Sequence, residues 1–309
     1  MMKSFHFYIL TLFAVLASFI GCMKKENSID IEAHKKQVVE WQQKRDQRLR
    51  GDQGWLTLCG LFWLREGENR MGTDSSNQII FPPGKAPLSA GSLWLNDSVV
   101  RLEAQKNSEF KVHDSVITSM ALMSDKDVNA KPTIVSLRSL IFQIIYRGGQ
   151  IGVRVKDRQN PLLLNFKGME YFPIDPKWRF DAKFEPYTPP KILPIATMIG
   201  TTEPTVCPGA IVFNVDGKKI RLDATVERGT DDQLHVMFSD ETSGKETYGM
   251  GRQVYTDLPD SNNHVVIDFN KAYNWPCVFT DFATCPITPR QNHLPIRVEA
   301  GEKMFQGHH

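Results

Sequence analysis

The stretch LIFQIIYRGGQIGVRVK, residues 140–156, decides the class of fold. Leu140, Phe142, Ile144 and Tyr146 alternate with the two-residue period of a strand, and the intervening Ile141 and Ile145 are apolar too, so both faces of this strand are expected to be covered. Gly148-Gly149 interrupts the run and Gln150 begins another, which predicts an antiparallel hairpin. Outward from this pair the same texture recurs. Short runs of β-branched and aromatic residues occupy 78–81, 92–95, 99–103 and 116–122 before it, and 178–184, 210–215, 218–226, 234–238 and 264–269 after it. Asp216-Gly217, between two of these runs, marks a second hairpin. The expectation is an all-β body, mainly antiparallel, built as a sandwich or a partly closed barrel. The proline-rich stretch 186–194 is either an internal boundary or a crossing loop.

The amino terminus reads differently. Lys3 is followed by an apolar run from Phe7 to Ile20 and then by Gly21-Cys22, the layout of a secretory signal over residues 1–21. A permanent span needs about 20 apolar residues, and this run meets Lys24, Lys25 and Glu26 too soon. Phe19-Ile20-Gly21-Cys22 resembles the bacterial lipobox, which implies lipidation of Cys22 and a protein anchored to a membrane of the cell envelope, facing the periplasm or the surface. Residues 22–30 would form the tether. Residues 31–50 are rich in Lys, Gln, Arg and Glu with Val38, Val39, Trp41 and Leu49 as apolar members, which predicts one amphipathic helix that packs loosely on the body, capped by Asp30 and stopped by Gly51. Residues 51–309 then form the β-rich domain. Lys+Arg number 37 against Asp+Glu 35, and no basic stripe with interleaved aromatics stands out, so nucleic acid is not an expected partner.

No nucleophile elbow, phosphate loop, His-Glu-x-x-His or Cys-x-x-Cys is present, and Tyr248-Gly249-Met250-Gly251-Arg252 lacks the third glycine of a dinucleotide loop; no cofactor and no metal are expected. Polar residues crowd instead into 248–302. There, Tyr248-Gly249-Met250-Gly251-Arg252, Asp268-Phe269-Asn270-Lys271-Ala272-Tyr273-Asn274-Trp275-Pro276-Cys277, Thr284-Cys285-Pro286, Asn292 and Ala300-Gly301-Glu302 closely resemble the bacterial family called domain of unknown function 1684. Gly54-Trp55-Leu56-Thr57-Leu58, Gly60-Leu61-Phe62-Trp63-Leu64 and Arg147 with Arg154 and Asp157 resemble its other blocks, so that the likeness runs from Trp41 to Glu302. Trp275 stands where the family usually has proline. The resemblance implies a fold rather than an activity. Its recurring polar positions make Arg154, Asp157, Tyr248, Arg252, Asp268, Asn270, Tyr273, Cys277, Cys285, Asn292 and Glu302 the candidate ligand-binding residues.

Each has a plainer reading. Asp268 and Asn270 can satisfy backbone donors where a strand ends. Arg154 and Asp157 can form an ion pair with each other. Arg252 can clamp a carboxylate or phosphate, or pair with Glu302 or Asp268. Gly249 and Gly251 suit a bulge or tight turn. Cys277 and Cys285 can join as a disulfide in an oxidising compartment, contribute with His293 or Asp281 to a zinc site, or supply a thiol nucleophile assisted by His264 or His293. Cys59, among Leu58, Leu61 and Phe62, reads as core. Residues 67–102, with Gly72-Thr73-Asp74, loosely resemble the opening strands of a forkhead-associated phosphopeptide-binding domain, but Thr73 replaces the expected arginine and the Ser-x-x-His is missing. Phosphothreonine binding is not expected.

The functional expectation is a pocket formed by the 248–302 region that binds a polar or anionic small-molecule or glycan ligand. Arg252 and Arg154 would hold its charge, with Trp275 and Tyr273 giving flat apolar contact. The alternatives are a hydrolase using Asp268 or Glu302 as general base with Arg252 as electrostatic stabiliser, and a purely structural envelope protein.

Overall fold

The hairpin at Gly148-Gly149 is present, with Leu140 opposite Asp157 at one end and Arg147 opposite Gln150 at the other. This is a computed structural model describing residues 30–126, 131–226 and 232–307. The expected signal peptide, the lipidation candidate Cys22 and the expected tether up to residue 29 lie outside the described residues.

Helix α1 (Ile31–Arg50) opens the described chain, with the Asp30 carboxylate accepting from Glu32 N and Ala33 N as an N-cap, and the helix ends at Gly51. No helix among the described residues is long and apolar enough to cross a membrane.

The first half contains β1 (Leu58–Trp63), β2 (Gly67–Gly72), β3 (Ile79–Ile80), β4 (Gly91–Asn96), β5 (Val99–Ala104), β6 (Lys111–Val112), β7 (Ser115–Val116), β8 (Ser119–Leu122), β9 (Val135–Leu137), β10 (Leu140–Arg147) and β11 (Gln150–Asp157). They form a six-stranded sheet in the order β1-β11-β10-β9-β6-β7 and a five-stranded sheet in the order β3-β2-β4-β5-β8. The two sheets make a sandwich around one core. Met71, Leu93 and Leu102 enter it from one sheet, Phe142, Ile144, Val153 and Val155 from the other, and the Phe110 ring meets Phe142 edge-on. Residues 116–122, which read as one run, divide between β7 and β8 in different sheets.

The second half contains β12 (Arg179–Ala196), β13 (Thr202–Val215), β14 (Lys218–Ala224), β15 (Gln233–Asp240), β16 (Arg252–Asp257), β17 (His264–Asp268), β18 (Tyr273–Asn274) and β19 (His293–Leu294). Sheets ordered β14-β13-β12-β17 and β18-β16-β15-β19 enclose a second core that includes Ile211, Leu222, Val236, Phe238, Val254, Ile267 and Phe269. The bridge between Thr225 and His235 links β14 to β15, so this half is a partly closed barrel. The proline-rich 186–194 segment lies inside β12 rather than in a crossing loop. Its register with β13 shifts between Pro186 and Lys191, a bulge that accommodates prolines unable to donate to the ladder.

Between the halves lies a smaller cluster of Leu58 from β1, Ile195 from β12, Met237 from β15, and Trp275, Cys277, Ala283 and Cys285. Trp55 packs against this cluster and against a neighbouring one formed by Leu49 of α1 with Leu56, Phe166 and Phe279. The helix, the sandwich and the barrel therefore meet around Trp55.

Candidate functional site

The alternation of two strands builds the opposite walls of one cavity. In β11, Val153 and Val155 turn into the sandwich core, so Arg154 and Lys156 must project from its outer face. In β16, Val254 enters the barrel core, so Gln253 and Tyr255 project from the barrel's outer face. Arg252 pairs with Asn274 and Gln253 with Tyr273 in the ladder to β18, which sets Tyr273 beside Gln253 and Tyr255 on that face. Arg45 and Arg48 of α1 and the 283–286 segment close the sides. The volume of this cleft is about 440 Å³, within the roughly 300–1,000 Å³ of small-molecule sites.

The electrostatics of this cavity are one-sided. It is bordered by Arg45, Arg48, Arg147 and Arg154 and by no Asp or Glu. Arg45 is neutralised by Glu302, whose Oε1 accepts from its Nε at 2.9 Å; burial opposes the Arg45 charge, but the carboxylate outweighs it and the pKa rises. Arg147 is held by both carboxylate oxygens of Asp125 at 2.9 and 2.8 Å. Arg154 has no such partner among the described residues. It is 7 % exposed, its Nη2 makes only a 3.4 Å contact with Thr284 Oγ1, its Nε is unpaired, and its guanidinium lies 5.2 Å from the Trp55 ring centroid. Burial, reinforced by Arg147, lowers its pKa to about 10, and burial with Arg154 nearby lowers that of Lys156 to about 8. Gln253, also buried, places its side-chain carbonyl against His235 Nε2 at 2.9 Å, and its amide NH2 has no hydrogen bond among the described residues.

Of the candidates read from sequence, Arg154, Tyr273 and Cys285 border the cavity. The others do not. Arg252 is fully buried on the barrel side of β16, donating to Ala300 O, to Val298 O at 2.8 Å and to Asp240 Oδ1 at 3.3 Å. Its ion-pair partner is thus Asp240, not Glu302 or Asp268, because strand parity turns it inward; burial lowers its pKa against the pull of Asp240. Glu302 uses Oε2 to accept from Asn274 N at 2.8 Å. Asp268 Oδ1 accepts from Asn270 N and Oδ2 contacts His34 Nε2 of α1 at 2.8 Å. The Asn270 side chain accepts from Asp175 N and donates to Asp175 O, and Asn292 ties Asp223 to Met237 O. Asp157 pairs with Lys85 at 3.2 Å rather than with Arg154, which lies on the other face of β11. Tyr248 is half-buried, and burial together with Asp281 raises its pKa. Cys277 and Cys285 form a disulfide with their Cα atoms 6.3 Å apart, pinning the segment that ends at the cavity wall. No group of three or more His, Cys, Asp or Glu among the described residues could hold a metal ion.

Glycine shapes this region at two points. Gly251 (φ 88°) and Gly301 (φ 77°) both lie in left-handed backbone, and a side chain would strike Phe238 O at the first and Ala272 O at the second. These close approaches let β16 and the Ala300-Gly301-Glu302 segment surround Arg252.

Arg45, Trp55, Arg147, Gln253 and Tyr255 complete the cavity without having been singled out as ligand-binding residues. Trp55 and Arg147 lay in family-like blocks, and the alternation of β16 would have flagged Gln253 and Tyr255 had that strand been recognised.

The family described as "Protein of unknown function (DUF1684)" matches over residues 164–303. Among solved structures, an uncharacterized protein of Haloarcula marismortui is similar at 30% identity over 45% of this chain and 77% of that one, with a TM-score of 0.37. The FHA domain of FhaA, solved in complex with an intracellular domain, is similar at 17% identity over 31% of this chain and 86% of that one, with a TM-score of 0.22. An FHA domain described for phosphothreonine-dependent interactions gives 17% identity over 31% and 92%, with a TM-score of 0.21. No curated protein matches the chain.

Proposed function

We propose, for a chain that belongs to the DUF1684 family of proteins of unknown function through residues 164–303, that the cavity between sandwich, barrel and α1 binds a small anionic ligand. The observation that carries this reading is Arg154: a buried guanidinium with an unpaired Nε that forms no ion pair with any carboxylate among the described residues. A buried charge normally has a partner. A carboxylate or phosphate entering the cavity would supply one through charge-assisted hydrogen bonds of about 2.7–2.9 Å. Arg48, which forms no ion pair among the described residues, stands at the same cavity and adds attraction. Binding rather than hydrolysis is favoured because Asp268, Glu302 and Arg252 are committed to buried protein contacts and none of the three borders the cavity.

The same reading keeps the protein on a membrane of the cell envelope through a lipid on Cys22, with an envelope component as ligand. The lipobox-like Phe19-Ile20-Gly21-Cys22 supports this. Mass spectrometry of the native amino terminus tests it; a chain still beginning at Met1, or an unmodified Cys22, overturns it.

Thermal unfolding in the presence of small carboxylates and inorganic phosphate tests the binding site. A ligand at 100 times its Kd should stabilise the folded state by about 2.7 kcal/mol. Arg154→Met should abolish that shift, and an undiminished shift in this variant would refute the site.

A further inference from the structure

We infer that the ligand is a flat ring bearing one anionic group, an aromatic or heteroaromatic carboxylate or phosphate ester; this rests on the anion-binding reading above and specifies its ligand. The apolar surface of the cavity is unusual in kind. Trp55, Tyr255, Tyr273 and Trp275 border it, whereas no Leu, Ile, Val or Met does. Sites for fatty or branched aliphatic groups are filled by such adaptable side chains, while flat π-surfaces favour stacked or edge-on contact with another ring.

The rings are also ordered. His235 lies directly across the ladder from Tyr255, with centroids 4.6 Å apart and planes 18° from parallel; Tyr255 and Tyr273 are 6.4 Å apart and 17° from parallel. Trp275 meets His235 edge-on at 5.6 Å. Aromatic cavities of this kind often select cations. Here the bordering charges are arginines and no carboxylate borders the space, so the charge of the ligand is negative. Gln253, its carbonyl turned to His235, lies on the same wall, and its amide NH2 offers a donor to a ring nitrogen or oxygen.

The test compares matched acids on the full-length protein by isothermal titration: 2-naphthoate against decahydro-2-naphthoate, and phenyl phosphate against cyclohexyl phosphate. Each pair shares charge and carbon skeleton and differs in flatness. At least one flat member should bind ten times more tightly than its saturated counterpart, and Tyr255→Leu, checked for folding by circular dichroism, should shrink that ratio toward one. The stronger flat member tells carboxylate from phosphate. Equal affinities within both pairs would overturn the ring assignment and leave the anion site standing. Absence of binding by all four acids, or binding unchanged in Arg154→Met, would instead remove the underlying reading.

Discussion

His34 Nε2 and Asp268 Oδ2, 234 residues apart in sequence, meet at 2.8 Å in a contact buried on both sides. One helical face supplies His34, Val38, Arg45 and Leu49 to the body, and Arg45 both pairs with Glu302 and covers the Tyr273 ring at 4.4 Å. The amphipathic helix expected from residues 31–50 is therefore fastened by buried polar contacts, not resting loosely. Asp268→Ala removes the acceptor for His34 and the cap on Asn270 N. We expect a loss of about 1.5–3 kcal/mol, the scale of a hydrogen bond to a charged group. Hydrogen exchange over 31–50 should quicken, and unchanged protection there would contradict this role.

Two arginines should behave oppositely when shortened. Arg252→Met leaves Asp240 buried without its cation and should cost about 3–5 kcal/mol in urea unfolding. Arg154→Met leaves no carboxylate unpaired and removes a buried charge, so stability should hold or rise while the response to anions disappears.

Lys156 gives a pH signature. Its pKa in the fold is lowered to about 8 by burial and Arg154, below the ordinary 10.5. Between those values the unfolded chain binds the proton and the folded chain does not, so stability from this group rises with pH. Lys156→Met should therefore gain most, relative to the native protein, below about pH 8, with the difference shrinking toward pH 10.5. Chemical denaturation of both proteins across that interval checks the sign, and a gap that widens with pH would contradict it.

The Cys277–Cys285 disulfide closes a loop of sequence separation 8. Chain-entropy reasoning assigns it about 2–3 kcal/mol. Reductant should lower Tm by a corresponding amount and weaken anion binding, because Cys285 and its neighbours Ala283, Thr284 and Pro286 form part of the cavity wall. Calorimetry with and without reductant, repeated with a binding anion, reads both effects.

What could be read in advance follows the range of the interactions. The hairpin at Gly148-Gly149, the helix with its Asp30 cap and the β texture depend on neighbours in sequence, and all were legible. The direction of Arg252 was not, because residues 252–257 were not recognised as a strand and parity decides whether a side chain meets the barrel core or the cavity. Arg154 emerged as a candidate through family-like blocks, but its lack of a carboxylate partner depends on where Asp157, Asp125 and Glu302 point. Arg45 and Trp55 join the site only through tertiary packing, for which no local periodicity speaks.

The docking of α1 also orders events during synthesis. Residues 31–50 leave the ribosome well before their partners, since Asp268 follows His34 by 234 residues and Glu302 follows Arg45 by 257. The sandwich can gather its strands as they appear, whereas α1 cannot complete its docking until the barrel strands and Glu302 have been made. A segment made ahead of the sandwich is thus among the last to lock, and a chain truncated before Glu302 would leave Arg45 without its carboxylate.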